Sequence, residues 1–299
     1  TISQSAGGIA ITGYPTSVNL SISDSSISES ENYGITVYSQ YIPVNISITN
    51  THFVNNRGGD GNFGGYQSPL NLILRDNTSS PGTIGNGFHL SGNLGSQIWN
   101  GSVPFILGPA SVQDLTVSPG TVIKFENPQS RLSIGGSLNV QGLPTNKIYF
   151  TSFKDDTVGG DSNGDGATTT PSNADYQGLY IGSNSPINIS NVEFRYGGAD
   201  DCYWVCYPKA AIVHASSNSS LNISGSTFRD NRYGIRIENG ATTTISNTVI
   251  KDSTYNGVIA VSTNGSSPIY LSITDSRILR SGSTGVLAMS QYSAPLNLS

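Results

Sequence analysis

The chain has 299 residues, enough for one large domain or two ordinary ones, and only 11% of them are charged, against about a quarter in an ordinary soluble domain. Its 14 Lys and Arg against 19 Asp and Glu give a formal net charge of −5, which excludes a phosphate-tracking nucleic-acid surface. No apolar run approaches the roughly 18 residues of a bilayer-spanning helix, so no membrane span is expected.

Ser, Thr, Asn and 35 Gly take the place of the missing charges, so the polar surface is wetted by hydroxyls and amides. The chain opens at Thr1 with neither an initiator Met nor a signal peptide, as a mature product or a piece of something longer would. Along its first third, Val18-Asn19-Leu20-Ser21-Ile22 returns as Val44-Asn45-Ile46-Ser47-Ile48 and again as Leu70-Asn71-Leu72-Ile73-Leu74. The step from Val18 to Val44 equals the step from Val44 to Leu70. Short alternating strands separated by Gly, Asn and Ser clusters dominate, and no window carries helical periodicity. "LSISDSSISESENYGITVYS" is one full phrase: a strand, a turn, the apolar Ile27, a polar turn, then Gly34 and a second strand from Ile35. The glycine is expected to turn the corner at positive φ.

Residues 98–156 have shorter strand spacings and lack the Gly-Ile phrase. They read as the opening coils of a second module (98–299) after a first (1–97), with loop insertions at 153–178 and 198–209. The phrase then resumes in "SLNISGSTFRDNRYGIRIENG" and returns with Ile250 before Gly257 and with Ile278 before Gly285. A fixed repeat interval with several short strands per turn predicts an all-β fold. That fold is a right-handed parallel β-helix of about eleven coils, roughly 50 Å long.

Three short patterns in the middle region carry a resemblance. They are "VSPGTVIKF" from Val117, "LSIGGSL" from Leu132 and "IYFTS" from Ile148, followed by an Asp/Gly-rich insertion. Together they resemble a module of large secreted and surface-anchored β-helix proteins of bacteria and archaea, with pectate-lyase-like solenoid repeats. The resemblance covers about residues 98–200 and implies an extracellular, elongated surface protein. It implies no single activity, because such coils serve adhesins, spacers and polysaccharide-cleaving enzymes alike.

The insertion contains "DSNGDG". Asp161, Asn163 and Asp165 match positions 1, 3 and 5 of a calcium loop, and Asp155 and Asp156 could add carboxylates. The acid expected at position 12 is replaced by Ser172, and a solvated Asp/Gly loop is the plainer alternative. In "DDCYWVCY", Cys202 and Cys206 are expected to form a disulfide, since His52, His89 and His214 are too scattered to complete a zinc site. Tyr203, Trp204 and Tyr207 would form a sugar-stacking platform, or else merely cap the coil edge. Sequons at Asn19, Asn45, Asn77, Asn100, Asn188, Asn218, Asn222, Asn264 and Asn297 are candidate glycosylation sites, several of them expected on exposed turns.

No nucleophile–base pair or facing pair of carboxylates is visible, so no catalytic residues are expected. Asp24, Asp230 and Asp275 recur in equivalent phrases, which points to turn chemistry. "LNLS" at the end joined to "TISQSAGGIAI" at the start spells almost one coil, so the ends read as uncapped. The expected partner is another copy, stacked head to tail, or the rest of a longer chain. The expected function is a non-catalytic extracellular fibre subunit, stalk or adhesin. A polysaccharide lyase or hydrolase, or a carbohydrate-binding protein, is the alternative.

Overall fold

A computed structural model describes the chain except residues 1, 4–7, 14–16, 81–84, 203–205, 208, 217–218, 239, 263–267 and 291–294. It also leaves aside the side chains of 2, 3, 13, 201, 202, 206 and 207. The described residues are all-β, and every pairing between coils is parallel. The fold is a parallel β-helix.

Each coil contributes up to three short strands, each stacked on its counterpart in the neighbouring coils. The best-defined stack, here the asparagine face, begins with Val18–Ser23, Val44–Thr49 and Leu70–Ser80 and ends with Thr242–Ser246, Ile269–Thr274 and Leu296–Leu298. Its eleven described strands are joined by ten register-matched pairings, hence ten turns. At ~4.8 Å per rung the rod is about 50 Å long. The interval of the repeated phrase is one circumference, because Val44 lies directly over Val18 and Leu70 over Val44. Alternation then sends Val44, Ile46 and Ile48 into the core and leaves Asn45 outside.

The corners depart from the sequence expectation. Gly34, Gly234, Gly257 and Gly285 do not adopt positive φ. That conformation belongs instead to polar turn residues, including Asp24, Asn50, Asp230, Asn247 and Asp275, whose short side chains tolerate it. The phrase glycine serves close stacking: a Cβ on Gly234 would lie 2.3 Å from the Gly257 carbonyl oxygen of the next coil. Asp24, Asp230 and Asp275 are thus turn residues, as their phrases suggested.

Buried asparagines brace these corners from the coil above. Asn56 receives the Ser30 N–H and donates to the Ile27 carbonyl. Asn77 does the same for Thr51 and Ile48, and Asn231 for Gly197 and Phe194. In each case the bracketed turn holds a non-glycine residue at positive φ: Glu29, Asn50 or Tyr196. The amide supplies the donor and acceptor that the sharp turn cannot provide for itself.

The irregular middle has a geometric cause. Phe88 pairs with Phe105 and Gln97 with Leu115, intervals well short of those that separate Val18, Val44 and Leu70. These narrow coils are made of two long bent strands, Phe88–Gly101 and Phe105–Val117. Phe88–Gly101 takes its register from Gly61–Gly65 below and from Phe105–Val117 above, and runs unbroken through the 97/98 position. The core beyond it stacks aromatic rings: Phe125 on Tyr176 (centroids 4.1 Å apart), Phe150 on Phe194 (4.6 Å) and Phe194 on Phe228 (4.9 Å).

The first insertion leaves the coil after Ser152 and returns at Gly178. It packs back over the outer surface of the rod. Gly85, at φ +105°, admits it, because a Cβ there would sit 2.1 Å from the Ser162 carbonyl oxygen. At its far edge Asn173 donates to Thr254 Oγ1 at 2.7 Å. On this side of the rod the register partners Ile106 and Lys124 alternate outward from their strands, yet both are fully buried. The second insertion contains a small antiparallel pair, Asp201–Cys202 with Cys206–Tyr207.

Candidate metal centre

The acidic insertion brings Asp156, Asp161 and Asp165 together, each offering a carboxylate oxygen within 4.8 Å of the others. Glycines shape the loop. Asp161 Oδ1 accepts from the N–H groups of Gly164 (2.7 Å) and Asp165 (3.3 Å), and its Oδ2 accepts from Gly166 N–H at 2.8 Å. Asn163 sits beside them, donating Nδ2 to Asp165 Oδ2 at 2.9 Å and thereby turning its own Oδ1 inward. Thr169 Oγ1 donates to the same Asp165 oxygen at 2.6 Å.

Three oxygens of this group, Asp156 Oδ1, Asn163 Oδ1 and Asp165 Oδ1, are sealed from solvent and have no hydrogen-bond donor. Orphaned buried acceptors are unfavourable by about 1–3 kcal/mol each. A cation held by the carboxylates would give such acceptors the partner they lack. The donors are oxygens without any Cys or His, a set suited to a hard ion. Desolvation and the neighbouring Asp161 and Asp165 carboxylates raise the Asp156 pKa. The residues present therefore fit a metal ion.

Asp155 does not join them, which corrects the five-residue set read from the sequence. It is fully buried, accepting from Thr151 Oγ1 at 2.6 Å, Thr157 Oγ1 at 2.5 Å and Arg195 Nη1 at 3.1 Å. Burial opposes its ionisation, but the two threonines and the guanidinium outweigh burial and lower its pKa. Arg195 also bridges to Glu193 (2.7 Å), which receives Arg229 from the next coil at 2.7 Å. This ladder of charges ties the insertion's base to the rungs of the rod beside it.

Lys124 is the residue of this site with the least sign in the sequence. In "VIKF" it alternates outward, the place of an ordinary surface lysine. The insertion roofs it over, and its Nζ donates to the Gly160 carbonyl at 2.5 Å. Burial pushes its pKa down to about 8, resisted by the carboxylates of Asp156, Asp155 and Asp161. An ammonium thus sits under the acidic group and offsets part of its charge.

A second cluster forms beside Gly108, where an added Cβ would crowd Glu126 Oε2 at 3.4 Å. His89 Nδ1 and Glu126 Oε1 meet at 2.7 Å across that glycine's rung, with the rings of Tyr33 and Phe153 edge-on to the imidazole. Asp60 lies buried nearby and accepts from Gly87 N–H at 2.9 Å. Desolvation raises its pKa to about 6. His89 and Glu126 lie too far apart in the chain for any local pattern to pair them.

The remaining expected sites divide. Cys202 and Cys206 are register partners across the small hairpin, while their side chains, those of Tyr203, Trp204 and Tyr207, and Asn218 and Asn264 lie outside the described residues. Among the sequons, Asn19, Asn45, Asn188, Asn222 and Asn297 all point outward from the asparagine face. They arise from strand alternation, since Asn-x-Ser with an apolar x is simply a strand with polar residues outside. Asn100 lies half-buried at the end of its strand. Asn77 is corrected: it is no exposed turn but a 1%-exposed brace with its amide bonded internally.

Among the described residues no helix is long and apolar enough to cross a membrane. Neither a family profile, nor a curated protein, nor a solved structure matches this chain.

Proposed function

We propose that the chain is a non-catalytic extracellular structural protein, a β-helical rod extended by the stacking of further coils, as a fibre or as a surface stalk or adhesin. The supporting observation is the state of its outermost rungs. Leu298 stands directly over Leu271 and Val286 over Val258, yet Leu298 is 51% and Val286 36% exposed while the residues beneath are 3% and 0%. A further coil, from the same chain or from another copy, would bury these side chains and pair these backbones. Sedimentation velocity tests this reading. The purified chain is expected to show concentration-dependent association that Val286→Lys with Leu298→Lys abolishes. A native chain sedimenting as a monomer at every concentration would overturn the fibre form of this reading.

A second reading concerns the insertion. The orphaned oxygens of Asp156, Asn163 and Asp165 favour a bound divalent cation, and oxygen-only donors favour Ca²⁺. Its role would be structural, holding the insertion onto the rod. Calorimetric titration with Ca²⁺ is expected to show one site that Asp161→Asn with Asp165→Asn removes. Equal heats from the variant would exclude it. The hairpin register, which sets Cys202 opposite Cys206, suits a disulfide in an oxidising compartment.

A further inference from the structure

The asparagine face differs from the rest of the surface in what it lacks. Its central outward column runs from Ser21 through Asn139 to Ser272 over ten consecutive rungs and contains no charged side chain. The charges Arg75 and Asp114 belong to the flanking columns. The adjoining surface, in contrast, carries the Glu193, Arg195 and Arg229 ladder. Charge has been kept off the central column of this sheet.

The amides of this face are ordered, Asn188 and Asn222 in the central column and Asn19, Asn45 and Asn71 in the flanking column that also holds Asp114. Asn45 Nδ2 donates to Asn19 Oδ1 and Asn71 Nδ2 to Asn45 Oδ1, both at 2.7 Å, and Ser96 N–H continues the line to Asn71 Oδ1 at 2.8 Å. Further along, Asn222 Nδ2 donates to Asn188 Oδ1 at 3.0 Å. An amide locked this way has spent one N–H and one lone pair, and it keeps one of each for solvent. The side-chain freedom that a ligand would otherwise have to freeze is already lost. Each such rung offers a fixed donor and acceptor side by side, the pairing that a hydroxyl group satisfies with its own donor and acceptor.

Two hollows lie on this face, one near each end. The first, about 510 Å³, runs over Asn19, Asn45 and Asn71 and is floored on one side by Ile73 and Ile98. The second, about 360 Å³, lies over Thr242, Thr244 and Asn297 beside Tyr270, which is 48% exposed. Apolar patches beside fixed amides and hydroxyls match the two sides of a sugar ring, its C–H face and its hydroxyl edge. From these features we infer that the asparagine face binds an extended neutral polysaccharide laid along the rod axis. A charged polymer would lose its hydration there and find along the whole face only Arg75 and Asp114, one charge of each sign.

Affinity electrophoresis of the full chain through gels holding a neutral β-glucan, xylan or mannan tests this, together with pelleting on cellulose and chitin. Polygalacturonate and polyglutamate serve as charged comparators. The native chain is expected to be retained by at least one neutral glycan. Retention should fall at least fivefold in Ser47→Arg, Thr244→Arg and Tyr270→Ala, with melting temperatures unchanged. These positions point outward, so the substitutions leave the core intact. No retention by any neutral glycan, retention by the charged polymers only, or arginine variants that bind like the native chain would each overturn the inference. So would a self-association of the chain that Ser47→Arg alone disrupts, since the face would then be an interface between copies.

Discussion

Asn231 shows how a single residue holds a corner of this rod. Its amide receives the Gly197 N–H and donates to the Phe194 carbonyl, so it joins two points of the coil below to the coil above. Asn231→Ala removes both bonds at a buried turn. The expected loss is about 2–3 kcal/mol in urea unfolding, and Asn231→Asp, which keeps the acceptor but buries a carboxylate with one oxygen against the Phe194 carbonyl, should lose at least as much. Two buried ionisable groups make a second prediction. His214 is fully buried between Thr243 and Ser219, and burial pushes its pKa down to about 4. The unfolded chain therefore takes up the proton first, and stability falls as pH drops from about 6.5 towards 4, by roughly 3 kcal/mol in all. Asp60 works the opposite way. With its pKa raised to about 6, the folded state holds the proton longer, and stability falls as pH rises from about 4 towards 6 by a similar amount. The two slopes nearly cancel. Urea midpoints measured from pH 4 to 7 should be nearly flat in the native chain, fall towards acid in Asp60→Asn and fall towards neutral in His214→Gln.

Strands and the first insertion differ in how legible they are. The strands can be read because each carries its own alternation and its interval to the next is the circumference of a coil. The phrase glycines stand where the repeat puts them but have a different duty: positive φ falls at other turn residues of the phrase, such as Asp24, Gly225 and Asp252, and the phrase glycine is needed for contact between coils, which no single coil displays. The insertion is legible as an acidic loop, and spacing alone picks out Asp161, Asn163 and Asp165. Its docking is not legible. Asp155 reads as one of the group because Arg195, a distant residue in the chain, claims it only in three dimensions, and Lys124 is buried only because the loop folds back over it. If a cation holds this loop, chelation should shift limited proteolysis to residues 157–170 without unfolding the coils. Cation affinity should also weaken as pH falls, because protonating Asp156, whose pKa lies above the ordinary aspartate value, removes a ligand. The aromatic stack in the core beneath sets the scale for a coil defect: Phe194→Ala, between Phe150 and Phe228, should lose about 3–5 kcal/mol in the same urea assay.

At the scale of the whole molecule, stability is a sum over neighbouring coils, and any rung with only one neighbour is incomplete. The core side chains are covered wherever a coil lies on both sides and uncovered at Val286 and Leu298, where the described coils stop. The stacking proposal therefore concerns the same physics that builds the interior, applied once more between coils that are not yet neighbours. Electron microscopy of the purified chain measures this directly. The account predicts rods joined end to end, with lengths in steps of about 50 Å and with the rungs continuous across each junction. A field of separate rods of about 50 Å, unchanged as concentration rises, would contradict it.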